Sequence, residues 1–197
     1  MKSNNNELLK LNPPSLAVKI MVIAAALLIF TGADLIIKQR AYHTLRGSQD
    51  IVVIPGFWSF RYTINDDLGF SLLNFLDDIL SKQQKYLLLL IIQGAATSAV
   101  LVFSLFVIKP KHFLPLVLIT CGGMGNFLDR IIHGGVIDYI LWYYGDFSWP
   151  IFNLADVYGV VGISLFIIIL YFFTKERSLK ALIKPLEEKT LNEGIKK

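Results

Sequence analysis

A chain of 197 residues that is 54% hydrophobic and only 17% charged is too apolar for an ordinary water-soluble domain and reads as a polytopic membrane protein. Its formal charge of +4 is modest, and its lysines gather at the ends of the chain. That pattern suits an anionic membrane surface and argues against nucleic acid as a partner. A single cysteine, Cys121, excludes an internal disulfide framework and a cysteine-based metal site.

Residues 1–15 are polar, with Lys2, Lys10 and Asn4 to Asn6, and Pro13-Pro14 stiffens the approach to the first apolar run. Four stretches are long and apolar enough to cross a bilayer, which takes about 20 residues each: about 16–37, 86–108, 113–133 and 152–173. The first is longer than the apolar region of a signal peptide and ends in Asp34 and Lys38 instead of a small-residue cleavage site, so it reads as a retained span. An even number of spans puts both termini on one side. Lys2 and Lys10 precede span one, Lys109 and Lys111 fill the turn between spans two and three, and Lys175, Arg177, Lys180 and Lys184 follow span four. By the positive-inside rule that shared side is the cytoplasm. Residues 1–15 and 175–197 are then cytoplasmic, and the segments 38–85 and 138–151 are external.

In the first external segment Trp58, Phe60, Tyr62 and Ile64 alternate with Ser59, Arg61, Thr63 and Asn65. A period of two predicts a half-buried strand. The run Ile51 to Ile54, closed by Pro55-Gly56, predicts a partner strand, and Asp66-Asp67 begins a turn. In the second, Tyr139, Trp142, Tyr143, Tyr144, Phe147 and Trp149 cluster with Gly145 and Pro150. Tyr and Trp concentrate at the headgroup level, which predicts a segment lying along the outer interface. No repeat or second domain is visible, so residues 16–174 are expected to form one four-span unit.

Polar groups within the apolar runs are candidates for function. Span three loses helix support at Gly134-Gly135 and span four begins near Phe152, so Asp138 and Asp156 both fall near the external boundary, where they can meet. Two carboxyl groups in one partly desolvated site do not both ionise cheaply. One keeps its proton while the other stays charged, a pairing that can activate water and protonate a carbonyl or a leaving amine. Asp156 alone also reads as a helix-start residue, favoured by the positive dipole end by about 0.3–1 kcal/mol. Asn126 and Asp129 share a helix face, with Arg130 one step round. Asp129 and Arg130 are expected to support the site through a mutual or cross-helix ion pair, beside Gly122, Gly123 and Gly125, which permit close helix approach.

Asp34 and Lys38 lie four apart on one helix face. They read either as a salt bridge that eases insertion or as groups that position a substrate or the catalytic loop. Ser59 or Ser71 with Lys38 supplies the raw material of a Ser-Lys hydrolase, but nothing local marks either serine as activated. His43, His112 and His133 show no metal-ligand spacing, and neither a metal nor another cofactor is expected.

Gly122 to Arg130, then Gly134 or Gly135, Val136-Ile137-Asp138-Tyr139 and Phe152-Asn153-Leu154-Ala155-Asp156 resemble the two signature blocks of bacterial lipoprotein signal peptidase (signal peptidase II). Asp34 with Lys38, and Asn65 with Phe70-Ser71, resemble further positions of that family, and the likeness covers most of residues 16–174. The resemblance implies an all-α integral membrane protein with four spans, a small external β-sheet and an interfacial helix. It implies a metal-independent aspartic endopeptidase of the bacterial inner membrane that cuts lipidated prolipoproteins before the diacylglyceryl-modified cysteine, working as a monomer among membrane lipids. By position it makes Asp138 and Asp156 the catalytic dyad. Asn126, Arg130 and Asn153 support the site, and Asp34, Lys38 and Asn65 shape it. Two departures stand out. Asp66-Asp67-Leu68-Gly69 replaces a small-residue run, and Leu35 stands where the family commonly has Gln. The competing class is a small membrane transport or coupling subunit with Asp residues as a proton relay, which needs acids spaced across the bilayer.

Overall fold

The computed structural model describes residues 14–66, 79–107 and 110–172. Helix α1, Leu16–Leu45, starts at Ser15, whose hydroxyl accepts from the Val18 N–H and satisfies one of the free donors of the first turn. A π turn at Leu27–Thr31 interrupts it. The buried positions along α1 are Lys19, Ile23, Ala26, Thr31, Asp34, Lys38, Ala41 and Leu45. Steps of three and four keep to one helix face, and the single step of five, from Ala26 to Thr31, falls across the π turn. The wider turn absorbs the extra residue, so one buried stripe runs the length of the helix.

Strands β1, Ile51–Ile54, and β2, Trp58–Asn65, form an antiparallel pair around Gly56, which has φ 77°. Helix α2, Lys82–Phe106, begins with a capping box between Ser81 and Gln84. Helix α3, Pro110–His133, stops at Gly134, whose φ of 75° is the left-handed conformation that ends many helices. Strands β3, Val136–Tyr144, and β4, Phe147–Ser148, lead to helix α4, Leu154–Phe172. Helices thus occupy most of the described parts of the spans expected near 16–37, 86–108, 113–133 and 152–173, α1 continuing to Leu45 and α4 starting at Leu154. Helices α1, α2 and α4 are long and apolar enough to cross a membrane. Helix α3 has comparable length, 24 residues, with Asn126, Asp129 and Arg130 gathered towards its end. Leu28 and Ile29 on α1, Ile91 and Phe103 on α2, and Val160 and Ile167 on α4 are exposed, as lipid-facing positions would be.

The sheet is larger than the sequence suggests, with four antiparallel strands in the order β1-β2-β3-β4. The aromatic segment expected along the interface supplies two of them. Tyrosine and tryptophan favour strands as well as the headgroup region, and Gly145, at φ 56°, turns β3 into β4. No interfacial helix occurs among the described residues, and Asp67, Phe70 and Ser71 lie outside them.

A bulge in β2 corrects the expected alternation. Phe60 stands opposite Ile140, but Thr63 stands opposite Asp138 and Asn65 opposite Val136, so β2 spends one more residue than β3 between those pairs. Thr63 and Asn65, not Tyr62 and Ile64, therefore share the face of Asp138. Beneath the sheet, Ile137 and Tyr139 pack with Ala41 and Leu45 of α1.

Candidate active site

Asp138 is the third residue of β3 and is 2% exposed. Its Oδ1 accepts from Asn153 Nδ2 at 2.6 Å and its Oδ2 from Asn65 Nδ2 at 3.1 Å. Asp156 is the third residue of α4, where it forms a reciprocal cap with Asn153. Asp156 Oδ2 accepts from the Asn153 N–H at 3.1 Å, and Asn153 Oδ1 accepts from the Asp156 N–H at 2.9 Å. This is a capping box with Asp in the place usually held by Glu, so the helix-start role of Asp156 is real. Its other oxygen, Oδ1, accepts from Asn126 Nδ2 at 2.8 Å. Asn126 Oδ1 in turn accepts from Asn153 Nδ2 at 3.1 Å and from Lys38 Nζ at 2.7 Å. Two amides thus connect the carboxylates.

A second group of charges lies behind the amides. Lys38 Nζ is 2.9 Å from Asp34 Oδ2 and 3.5 Å from Asp129 Oδ2, with all three side chains almost fully buried. Asp34 and Lys38 form the i,i+4 bridge, and Lys38 also reaches the amide that binds Asp156. Each acid also fastens a neighbouring element. Asp34 Oδ1 accepts from the Ala155 N–H at 2.9 Å in the first turn of α4, and Asp129 Oδ2 accepts from the Ile137 N–H at 2.5 Å in β3. The packing leaves no room for a side chain where α3 meets these groups. A Cβ on Gly125 would sit 2.6 Å from Asp34 Oδ2, and one on Gly122 2.4 Å from the Ala155 carbonyl oxygen. The cross-helix alternative for Asp129 is thus the one observed, with Lys38 as partner.

Arg130 is 5% exposed, and its charge acts on Asp138, Asp156 and Asp129. Its guanidinium donates to Gln93 Oε1 on α2, a residue whose only signal in the sequence is a lone amide in an apolar run. Burial, and then the charge of Asp156, push the Asp138 carboxyl up to about 7. Hydrogen bonds from Asn65 and Asn153 and the charge of Lys38 pull the other way without winning. Near neutral pH the Asp138 carboxyl therefore still keeps its proton in part, as one member of an acid–base couple must.

Ser59 is buried in β2 and lines a surface pocket with Asp50, Arg61 and Tyr143, while Lys38 is held by Asp34, Asp129 and Asn126. A Ser-Lys pair finds no support there. His112 and His133 sit near opposite ends of α3 and His43 on α1: His133 stacks on Tyr42 with its Nε2 3.7 Å from Asp129 Oδ1, His43 contacts Gln39, and His112 packs on Phe166. Among the described residues no three His, Cys, Asp or Glu side chains are placed to hold a metal ion.

Long apolar helices that gather two carboxylates beside a small sheet define a membrane protein with the groups that aspartic hydrolysis needs. Residues 24–173 match the signal peptidase (SPase) II family. The chain belongs to that family, a family of aspartic proteases. It is 35% identical over 161 residues to a lipoprotein signal peptidase of Xanthomonas oryzae pv. oryzae, covering 79% of this chain and 90% of that one. A lipoprotein signal peptidase of Xanthomonas campestris pv. campestris is 34% identical over 176 residues, 86% of this chain and 96% of its own. One from Xylella fastidiosa is 40% identical over 121 residues, 58% and 69% of the two chains. A bacterial membrane enzyme solved at 2.3 Å by the in meso method shares the fold, with a TM-score of 0.63 at 24% identity over 84% of this chain and 94% of that one.

Proposed function

We propose that this chain removes signal peptides from prolipoproteins, cutting just before the diacylglyceryl-modified cysteine, with Asp138 and Asp156 as the catalytic dyad. The observation that carries the reading is the coupling of Asp138 to Asp156 in a buried site where Asn65, Asn126 and Asn153 donate to their oxygens. The ionised member takes a proton from water as the water oxygen attacks the scissile carbonyl. The protonated member supports the charge developing on the carbonyl oxygen, and the leaving amine gains a proton as the C–N bond breaks. One water is consumed, and an acid and an amine are released. Asn65, Asn126 and Asn153 hold the carboxylate oxygens in place, while Asp34, Lys38 and Asp129 fasten α1, α3, β3 and α4 around them. Arg130 contributes positive charge.

Helices α1 to α4 would all cross the bacterial inner membrane, with both termini cytoplasmic and the dyad at the external face of a monomer surrounded by lipid. Lysines in the terminal flanks and at Lys109 and Lys111 favour that orientation. A proton relay would need acids staggered along the helices. Here Asp34, Asp129, Asp138 and Asp156 join in one network with Lys38, Asn126 and Asn153, which favours hydrolysis.

The test is cleavage of a purified diacylglyceryl-modified precursor by Asp138→Asn and Asp156→Asn, with and without chelator. Removing either acid should lower kcat by about 10²–10⁴-fold while the protein still inserts and folds. Near wild-type rates in both folded variants would overturn the dyad.

A further inference from the structure

Gln93 is the twelfth residue of α2, a 25-residue helix otherwise apolar around it. A glutamine there forfeits hydration unless its amide is satisfied by protein. Both ends of the amide are satisfied, and both partners belong to α3. Gln93 Oε1 accepts from the Arg130 guanidinium, and Gln93 Nε2 donates to the Gly123 carbonyl oxygen at 3.2 Å. Gly123 and Arg130 are seven residues, or two turns, apart and share a helix face. Helical side chains lean back towards the N-terminus, so Arg130 lies back along α3 towards this amide.

The two helices approach closely enough for a short side chain to span them. A Cβ on Gly123 would lie 2.5 Å from Thr97 Oγ1. One end of the seam is fixed separately, where the Tyr86 hydroxyl donates to the Arg130 carbonyl oxygen at 3.0 Å. The backbone of Arg130 is thus held by Tyr86 and its guanidinium by Gln93. The charge so held faces Asp138 on β3, Asp156 on α4, Asp129 on α3 and Tyr86 on α2.

We propose that Gln93 is a positioning residue for the peptidase reaction: it holds the Arg130 guanidinium in the orientation from which its charge acts on the carboxylate pair. The proposal rests on Asp138 and Asp156 being the dyad. Gln93 touches neither substrate nor reacting atoms, and its effect passes through Arg130. A cation aimed at the pair favours its ionised member and the negative charge that develops during attack. Turned away, it favours neither.

The experiment compares Gln93→Leu, Gln93→Glu and Thr97→Val on the lipidated precursor across pH, in protein shown to be folded by thermal unfolding in detergent. Gln93→Leu should lower kcat by about 10- to 100-fold with KM changed less than about 2-fold. It should also move the alkaline limb of the pH profile upward, because an acid that loses a neighbouring cation holds its proton to higher pH. Gln93→Glu still accepts from the guanidinium but adds a carboxylate that offsets its charge and opposes the Gly123 carbonyl oxygen, so it should keep the alkaline limb raised and not restore kcat. Thr97→Val, which alters the same seam without touching that hydrogen bond, should keep the wild-type kcat and limb. A wild-type kcat and limb in Gln93→Leu, or the same losses in Thr97→Val, would overturn the proposal. Should Gln93→Leu not accumulate folded, Gln93→Asn decides in the same way, since its amide is too short for both partners. If Asp138→Asn remained active the dyad itself would fall, an outcome separate from any seen at Gln93.

Discussion

Helix α1 buries two lysines on one stripe, and they show two ways to hold a cation among apolar helices. Lys38 is 1% exposed and ends among acids and an amide: Asp34, Asp129 and Asn126. Lys19 is 6% exposed and ends on two uncharged groups, the carbonyl oxygens of Leu105 and Val107, at 2.6 and 2.7 Å. Those carbonyls belong to the C-terminal end of α2, where backbone acceptors lack helical partners and a cation is favoured. Lys19 therefore completes a helix end. Lys38 offsets the charge of two buried acids that fasten α4 and β3, and it reaches the amide that binds Asp156. Burial alone does not mark a functional group; the partners do.

Replacing Lys38 with Met should have the largest effect. It leaves Asp34 and Asp129 buried without their cation, a loss that costs about 3–5 kcal/mol when one partner of a buried pair is removed. Asn126 also loses the donor that orients it, so kcat should fall by at least about 100-fold. Thermal unfolding and precursor cleavage measure the two effects. A Lys38→Met protein with wild-type activity would make the two lysines equivalent and remove Lys38 from the site.

Asn153→Ala comes next. It removes an N-cap, worth about 1 kcal/mol, together with the 2.6 Å donor to Asp138. Loss of a positioning contact of this kind should lower kcat by about 10-fold or more. Asn65→Ala removes a donor to Asp138 without touching a helix cap, so it should lower kcat with little change in unfolding temperature. A purely structural Asn65 would show the reverse.

The pH profile sharpens the comparison further. Asp138 is pushed from 3.8 to about 7, so the folded protein keeps a proton that the unfolded chain has released. Its contribution to stability is complete below about 4 and is lost as pH rises to about 7. Unfolding temperature should fall across that window, and Asp138→Asn should flatten the fall. Activity should decline on the alkaline side once the shared proton is gone, with the limb near 7. Because the charge of Lys38 opposes this rise, Lys38→Met should move the limb upward where a folded fraction can be assayed.

The parts of this molecule that could be read in the sequence are those whose signal is local. Asn126, Asp138, Asn153 and Asp156 fall within two short blocks, and Asp34 and Lys38 are one turn apart, so their meeting at one end of the helices was legible. Apolar length located the helices, though α1 runs on to Leu45 and α2 begins at Lys82. What escaped depends on contacts distant in sequence or on patterns with two meanings. Tyr139 to Trp149 suits a headgroup belt and a strand equally, and only pairing with Trp58 to Asn65 decides for the sheet. The bulge that turns Asn65 to the face of Asp138 leaves no mark on the alternation. The pairing of Asp129 with Lys38 and the clamp from Gln93 to Arg130 cross between helices, where no spacing rule applies.

Lys19 belongs with those unmarked residues, and Lys19→Met is the mildest test and the one that separates the two lysines most cleanly. Methionine fills a similar volume and suits an apolar span better than an ammonium does. Lost with the lysine are hydrogen bonds to the Leu105 and Val107 carbonyls, so the expected cost is about 1–3 kcal/mol, read as a lower unfolding temperature. Because neither carbonyl touches the carboxylate network, kcat should stay within about 2-fold of wild type and the pH limb should not move. A Lys19→Met protein with a wild-type unfolding temperature and a lost or shifted activity would mean that the Lys19 end of α1 communicates with the carboxylate network. The continuous buried stripe across the π turn would then serve transmission along the helix as well as packing.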